Sequence, residues 1–216
     1  MSLVVRTLSE QIFNLVRERI ASGAVPSDQA IRQDALANEL GVSKIPLREA
    51  LARLEQEGLL TSHANRGFFL RAMTAAEAEE IFALRRKIEP DAVAAASLAA
   101  TDDDRAFAAG ALEALDFAAS NNLSEVPALN RAFHMALVRP SRRLLTAQLV
   151  ERLHFMSERY VHKHLEPAGR EDRAHVEHQT LLAVWTAGDG ERAAALVSVH
   201  IQATLDDLRL QLKNQT

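Results

Sequence analysis

The chain of 216 residues contains no cysteine, which excludes disulfides, thiolate metal sites and a cysteine nucleophile. Aromatic residues are scarce, at 5% of the sequence, while alanine and leucine are abundant, and this composition favours helices. No apolar run approaches the roughly 20 residues that a membrane-spanning helix needs. The N-terminus also lacks the basic-then-apolar pattern of a secretory signal. We therefore expect a cytoplasmic protein that does not enter a membrane.

The chain has little excess charge in its first third. Residues 1–73 contain nine Lys or Arg and eight Asp or Glu, whereas residues 74–216 contain 16 and 21. A surface for nucleic acid in the first third would therefore have to gather its positive charge on one face. The length suits one large domain or two small ones, with enough residues for a substantial core.

The hydrophobic pattern changes character near Met73. Before it, the pattern predicts a helix after Thr7, a short helix over about 33–40, a helix after Ser43, and a small hairpin. After it, only helical periodicity remains, over roughly 75–99, 102–120, 125–138, 141–164, 172–187 and 190–213. The predicted fold is mainly α: a winged helix-turn-helix domain in residues 1–73, then an all-α antiparallel helical bundle in residues 74–216.

Two capping boxes are predicted at helix starts. Thr7 with Glu10, and Thr74 with Glu77, have the spacing at which each threonine caps the helix and the glutamate bonds back to it.

The stretch GVSKIPLREALARLEQEGLL, residues 41–60, predicts the recognition helix of a helix-turn-helix motif. Ser43 is a suitable N-cap, and Pro46 fits the first helical turn. Helical spacing predicts a buried stripe of Leu47, Ala50, Leu51 and Leu54. Lys44 and Arg48 then lie off the core. A cation at a helix N-terminus opposes the macrodipole, so Lys44 is best explained by a negative partner from outside the chain.

On this pattern alone, an ordinary helical hairpin with a solvated charged face remains an alternative. The run LANELGVSKIPLREALARLEQEGLL, continued by NRGFFL, resembles the winged helix-turn-helix of the GntR family of bacterial transcription regulators. The resemblance implies that the chain binds double-stranded operator DNA. It implies DNA contacts from the recognition helix, the wing tip and the residue before the second helix, namely Ser43, Lys44, Arg48, Arg66, Gly67 and Arg32.

One arginine of the helical part lies on an apolar stripe. Arg85 shares a helix face with Ile81, Leu84, Ile88 and Ala92, and a buried arginine is costly without a negative partner. It could form a structural salt bridge to another helix. It could instead hold the carboxylate or phosphate of a ligand, which its planar guanidinium suits.

Seven of the eight histidines lie in residues 74–216, and three of them are on separate predicted helices. His134, His178 and His200 each lie beside an apolar face, so they could converge inside the bundle. Neutral imidazoles bind zinc, nickel and similar ions. Each could also be a buried histidine that only makes hydrogen bonds.

Residues 74–216 resemble the all-helical FCD-type effector domain of the FadR subgroup. The resemblance is carried by NRAFH, EHQTLL, AALVSVH and ALRRKIEP. It implies a divalent metal ion, zinc or nickel, held by His134, His178, His200 and Asn130, where the family has an aspartate. An amide oxygen brings no charge, so metal affinity should fall. Arg85 matches the arginine that faces the cavity and helps to hold acidic effectors.

The two resemblances together predict a homodimeric regulator, more often a repressor in this family, that a small organic acid controls. The alternative is an enzyme, a metal-dependent hydrolase or lyase with an accessory N-terminal domain, because three histidines with open positions can activate water. No obvious general base accompanies these histidines in the sequence, which favours the regulator. A regulator that has lost its metal through Asn130 is the remaining alternative.

Overall fold

The computed structural model describes residues 7–26, 29–72, 74–165 and 170–213. The chain divides into two compact units, residues 1–72 and 73–216, each with its own hydrophobic core. Met73, where the predicted boundary falls, lies outside the described residues.

The first unit contains three helices and a hairpin. Its elements are α1 (Leu8–Ala21), α2 (Gln33–Leu40), α3 (Lys44–Gln56), β1 (Leu60–His63) and β2 (Gly67–Leu70). The predicted stripe of α3 is fully buried against α1 and β1, with Leu47, Ala50, Leu51 and Leu54 all at 0% exposure. Between α2 and α3, Gly41 adopts a φ of +64°, a left-handed conformation that glycine accepts without steric cost.

The hairpin has a contact that the sequence pattern did not predict. β1 and β2 pair antiparallel, with Leu60 opposite Leu70. Ala30 forms an additional antiparallel bridge with Phe69, and the Ile31 amide donates to the Phe68 carbonyl at 2.8 Å. The segment before α2 therefore fixes the hairpin to the helical part of its own unit.

The second unit is a bundle of six helices within the described residues. They are α4 (Ala75–Ala99), α5 (Asp102–Asn121), α6 (Val126–Val138), α7 (Leu144–Leu165), α8 (Arg170–Thr186) and α9 (Gly190–Lys213). α4 packs along α9 and also contacts α6 and α7, so it lies at the centre of the bundle. Ser97 on α4 donates to the Trp185 carbonyl of α8 at 2.8 Å.

The predicted fold class, a winged helix-turn-helix followed by an all-helical bundle, is confirmed. None of the helices in the described part of the chain combines the length and apolar character that a bilayer span requires.

Two local predictions differ from the structure. α7 begins later than predicted, because a 3₁₀ turn at Arg139–Ser141 leads into Arg142, whose φ of +57° is incompatible with a continuing helix. Thr74 caps α4 by accepting from the Glu77 amide at 3.1 Å. The Glu77 carboxylate, however, accepts from the Tyr160 hydroxyl at 3.1 Å, so it serves a tertiary contact.

Candidate DNA-binding surface and candidate metal centre

In the first unit, one groove gathers most of the residues predicted to contact DNA. α2, α3 and the hairpin line it, and its residues include Arg32, Lys44, Arg48, Arg66 and Gly67. Since α3 buries the opposite stripe of its surface, Lys44 and Arg48 are exposed. Four of the nine cationic residues in residues 1–73 thus line one groove, which suits a DNA-binding surface.

The wing tip is a tight turn between the two strands. Asn65 and Gly67 have φ values of +61° and +89°, so the chain reverses within a few residues. Arg66 lies between them, and its guanidinium carbon is 5.7 Å from the centre of the Phe69 ring. This contact packs the guanidinium against the hairpin while Arg66 stays at the exposed wing tip.

The explanation predicted for Lys44 was incomplete, because a negative partner lies within the chain. Lys44 Nζ is 2.5 Å from Asp34 Oδ1, with side chains that are 64% and 73% exposed. An ion pair this exposed contributes little stability, so a phosphate could replace the carboxylate at small cost. Ser43 has the extended backbone of an N-cap, but its side chain makes no capping hydrogen bond.

In the second unit, a cavity of about 60 Å³ lies between α4, α5, α6, α8 and α9. Its polar lining comprises Arg85, Asp116, Asn130, His134, His175, His178, His200 and Thr204. Its apolar lining comprises Leu115, Ala119, Leu123, Val126, Ala174 and Ile201. The cavity therefore brings together all five of the residues predicted for the metal ion and the effector.

The three predicted histidine ligands converge on one point of this cavity. One ligand atom from each of His134, His178 and His200 lies within 4.8 Å of the others. His178 Nε2 and His200 Nε2 are 3.3 Å apart. Two imidazole nitrogens on one tetrahedral zinc ion are separated by about 3.3 Å, given Zn–N bonds of about 2.0–2.1 Å. The observed separation therefore suits joint coordination without rearrangement of these two rings.

The ring of His134 has a nitrogen that no protein group satisfies. Its Nε2 is buried without a hydrogen-bond partner among the described residues. Nδ1 is 3.1 Å from Glu89 Oε1, which is the distance of an ion pair or hydrogen bond. Nε2 has no such neighbour. An unsatisfied buried nitrogen in a cavity with two other imidazoles is expected of a residue that ligates a metal ion.

Burial keeps the imidazoles of His134 and His178 neutral, which is the state that binds a metal ion. Desolvation lowers the pKa of His134 to about 3, despite the opposing effect of Glu89. The pKa of His178 is also well below its usual value, first because of burial and then because of His200 and His134. Lone pairs are therefore available at neutral pH without the loss of a proton.

Asn130 and Arg85 both line this cavity, but their contacts differ. Asn130 is 9% exposed and one helical turn before His134 on α6, so its amide can face the same point. Arg85 is 3% exposed, and its Nε donates to Glu89 Oε2 at 3.0 Å. It also donates to Ser157 Oγ at 3.3 Å. The salt bridge runs along α4 itself, and not to another helix as one interpretation of the sequence held.

The sequence analysis missed two carboxylates beside the histidines. Glu89 is fully buried and contacts Arg85, while Glu177 Oε2 lies 2.7 Å from His200 Nδ1. The sequence contained signals for both. Glu89 follows Arg85 by four residues, the spacing of a helical ion pair, and Glu177 directly precedes His178.

Leu84 was wrongly placed on the apolar stripe of α4, since it is 42% exposed. The buried face instead carries Phe82, Arg85 and Glu89.

Comparison with known proteins follows the same division of the chain. Residues 8–70 match the description "Bacterial regulatory proteins, gntR family", and residues 80–203 match the FCD domain. The Nta operon transcriptional regulator of Aminobacter aminovorans is 32% identical over 83% of this chain and 84% of its own length. The HTH-type transcriptional repressor GlaR of Escherichia coli is 28% identical over 88% of this chain and 90% of its own length.

A solved structure of Escherichia coli McbR/YncC superimposes on this chain with a TM-score of 0.85 and 26% identity. The match covers 96% of this chain and 99% of the McbR/YncC chain. The matched families and the named relatives are transcriptional regulators, so the prediction of a DNA-binding regulator is confirmed and the enzyme alternative is not supported.

Proposed function

The chain belongs to the gntR family of bacterial regulatory proteins, and we propose that a small organic acid bound in its FCD domain controls its affinity for operator DNA. The proposal extends to a divalent metal ion, zinc or nickel, held by His134, His178 and His200 with Asn130 beside them. The observation that carries it is the convergence of three imidazoles, those of His134, His178 and His200, on one cavity. The assignment to the FadR subgroup remains a prediction.

A metal ion in this cavity would supply a Lewis-acidic anchor for a carboxylate oxygen. The other contacts to the acid would come from residues of the chain itself. His134, His178 and His200 would hold the ion with three imidazoles, which would leave a position for a ligand oxygen. Since one water needs about 10–15 Å³ of such space, a cavity of about 60 Å³ has room for only about four to six non-hydrogen atoms. The effector should therefore be small.

Arg85 is the proposed second anchor for the acid. Its guanidinium lines the cavity, but Glu89 already compensates its charge at 3.0 Å. An incoming carboxylate would therefore compete with Glu89 for N–H donors, and the contacts of Arg85 to α7 through Ser157 would change with it. Such an exchange gives the bundle two arrangements between which an acid can choose, as a ligand-controlled switch requires.

The DNA-binding part of the proposal assigns α3 to the major groove. Lys44 and Arg48 would contact bases or phosphates, Arg66 and Gly67 the DNA next to the wing, and Arg32 a phosphate near α2. Ser43 has a side chain without a capping bond and would contact a phosphate. Two copies of the chain would bind two-fold related half-sites. A repressor is proposed because GlaR carries that name.

The test measures operator affinity with and without an acid. An operator duplex is first selected from a random library with the wild-type protein. Its dissociation constant is then measured by fluorescence anisotropy with acetate, glycolate or lactate, which are small enough for the cavity, for metal-free and for zinc-loaded protein. We expect at least one acid to change the affinity by about 5–150-fold, the usual range of allosteric coupling, and only in the zinc-loaded protein. Unchanged affinity with all acids in both forms would refute control by carboxylates of this size.

A further inference from the structure

A carboxylate is buried next to the proposed metal site without facing the cavity as a ligand. Glu89 on α4 is 0% exposed, and its Oε1 lies 3.1 Å from both His134 Nδ1 and His154 Nε2. Its Oε2 accepts from Arg85 Nε at 3.0 Å. The Arg85 guanidinium beside Oε2 compensates the negative charge of this carboxylate inside the bundle.

His134 lies between this charge and the convergence point of the three histidines. A metal ion on Nε2 needs the lone pair on that atom, so the ring proton must be on Nδ1. Nδ1 is the nitrogen that faces Glu89. A negative charge next to Nδ1 stabilises the tautomer that leaves Nε2 free, and it makes Nε2 a stronger base.

His200 repeats the arrangement from another direction. Its Nδ1 is 2.7 Å from Glu177 Oε2, and its Nε2 is the atom that lies 3.3 Å from His178 Nε2. Two of the three histidines thus have a carboxylate beside Nδ1, which leaves Nε2 of each ring for the metal ion. The two carboxylates come from different helices, α4 and α8, so the repetition does not follow from one local sequence motif.

We propose that Glu89 and Glu177 are positioning carboxylates of the metal site, which orient His134 and His200 and supply through these rings the negative charge that Asn130 lacks. The inference rests on the proposed metal site. It explains how a site with an uncharged amide and three neutral imidazoles can hold a divalent ion in a cavity that also contains Arg85. Carboxylates hydrogen-bonded to metal-bound histidines commonly raise metal affinity by about 10–100-fold.

Glu89 is assigned as a positioning residue and not as a ligand of a second ion. Glu89, His134 and His154 could by distance form a second metal site. However, Arg85 Nη2 lies 3.1 Å from His154 Nε2, and Arg85 Nε lies 3.0 Å from the carboxylate. A divalent cation among these three groups would lie against a guanidinium in a water-free interior, where like charges repel strongly.

The test measures metal affinity directly. Nickel is titrated into the metal-free full chain in competition with a chromogenic chelator, for the wild type, Glu89→Gln and Glu177→Gln. We expect each variant to bind nickel about 10–100-fold more weakly than the wild type. Asn130→Asp, which adds a carboxylate at the cavity, should bind more tightly and should restore affinity when combined with Glu89→Gln.

Arg85→Gln separates a positioning role from a structural one. Glu89→Gln and Arg85→Gln break the same buried ion pair from its two sides. If Glu89 only maintained the fold, both would weaken nickel binding. If Glu89 supplies charge to His134, Arg85→Gln should strengthen binding, because the carboxylate is then no longer neutralised. Opposite signs support the proposal, and a loss in both variants overturns it.

The outcomes also distinguish this inference from the proposal on which it rests. A wild type that takes up neither nickel nor, in the same titration, zinc removes the metal site itself. If the wild type binds nickel and Glu89→Gln and Glu177→Gln bind it with the same affinity, only the positioning role is refuted. Glu177 is 28% exposed, so its variant should fold even if a change at buried Glu89 does not, and circular dichroism checks each variant before titration.

Discussion

Arg48 offers a quantitative test of the DNA-binding surface. The groove of one unit carries four cations, Arg32, Lys44, Arg48 and Arg66. Two copies on an operator would bring eight cations. Each phosphate that they neutralise contributes about −0.9 to the slope of log affinity against log salt, so the slope should be about −7. Arg48→Ala removes two of the eight, so the slope should become shallower by about 1.8.

The same substitution should weaken binding at fixed salt. A good arginine contact to a base discriminates by about 1–3 kcal/mol, so two half-sites together should lose about 2–6 kcal/mol, or at least about 30-fold in affinity. Anisotropy on a selected operator duplex, measured between 50 and 200 mM salt (about the usual range for such slopes), gives both quantities.

The control for Arg48→Ala removes the same charge elsewhere. Arg192 is exposed near the start of α9, outside the groove. Arg192→Ala should leave both the affinity and the salt slope at their wild-type values. If Arg48→Ala behaves like Arg192→Ala, α3 is not the recognition helix.

Further predictions concern stability and the effector. Because the pKa of His134 is lowered to about 3 and that of His178 well below normal, the unfolded chain takes up protons below about pH 6.5 that the folded chain does not. The melting temperature of metal-free protein should therefore fall between about pH 7 and pH 5.5, and a constant value would contradict neutral buried rings. Gly190→Ala places a Cβ 2.8 Å from a backbone oxygen of α4 and should destabilise by about 1–3 kcal/mol in denaturant titrations. Gly110→Ala, which meets nothing within 4 Å in α5, should stabilise by about 0.5–1 kcal/mol. Arg85→Gln should reduce the response of zinc-loaded protein to lactate more than it reduces operator affinity without acid; equal losses would indicate a purely structural salt bridge.

The sequence predicted those features that depend on periodicity along one helix. The buried stripe of α3 follows from the spacing of Leu47 to Leu54, and the exposure of Lys44 and Arg48 follows from that stripe. The extent of α4, Ala75–Ala99, also agrees with the predicted range. Local pattern is sufficient in these cases because one buried face determines the orientation of the whole helix.

Features that depend on packing between elements could not be predicted in the same way. The approach of Glu89 to His134 requires the register of α4 against α6, which no single helix pattern contains. The bridge of Ala30 to Phe69 joins residues that the chain pattern assigns to a loop and a strand. The pairing of Lys44 with Asp34 likewise depends on the angle between α2 and α3.

The histidines lie between these two cases. Helical spacing placed His134, His178 and His200 beside apolar faces, but only the packing of three helices brings their ligand atoms within 4.8 Å. The resemblance to FCD domains supplied that step in the prediction. The carboxylates on the far side of the rings were not found by either route.

The central claim is that these three histidines hold a metal ion in the FCD domain. Purified chain is loaded with excess zinc, freed of unbound metal by gel filtration, and its metal content is measured by mass spectrometry beside His134→Ala combined with His178→Ala. We expect about one zinc per chain in the wild type and none in the double variant, because one imidazole with an amide leaves too few ligands for a stable site. Wild-type protein without bound zinc and, after the same loading, without bound nickel would contradict it.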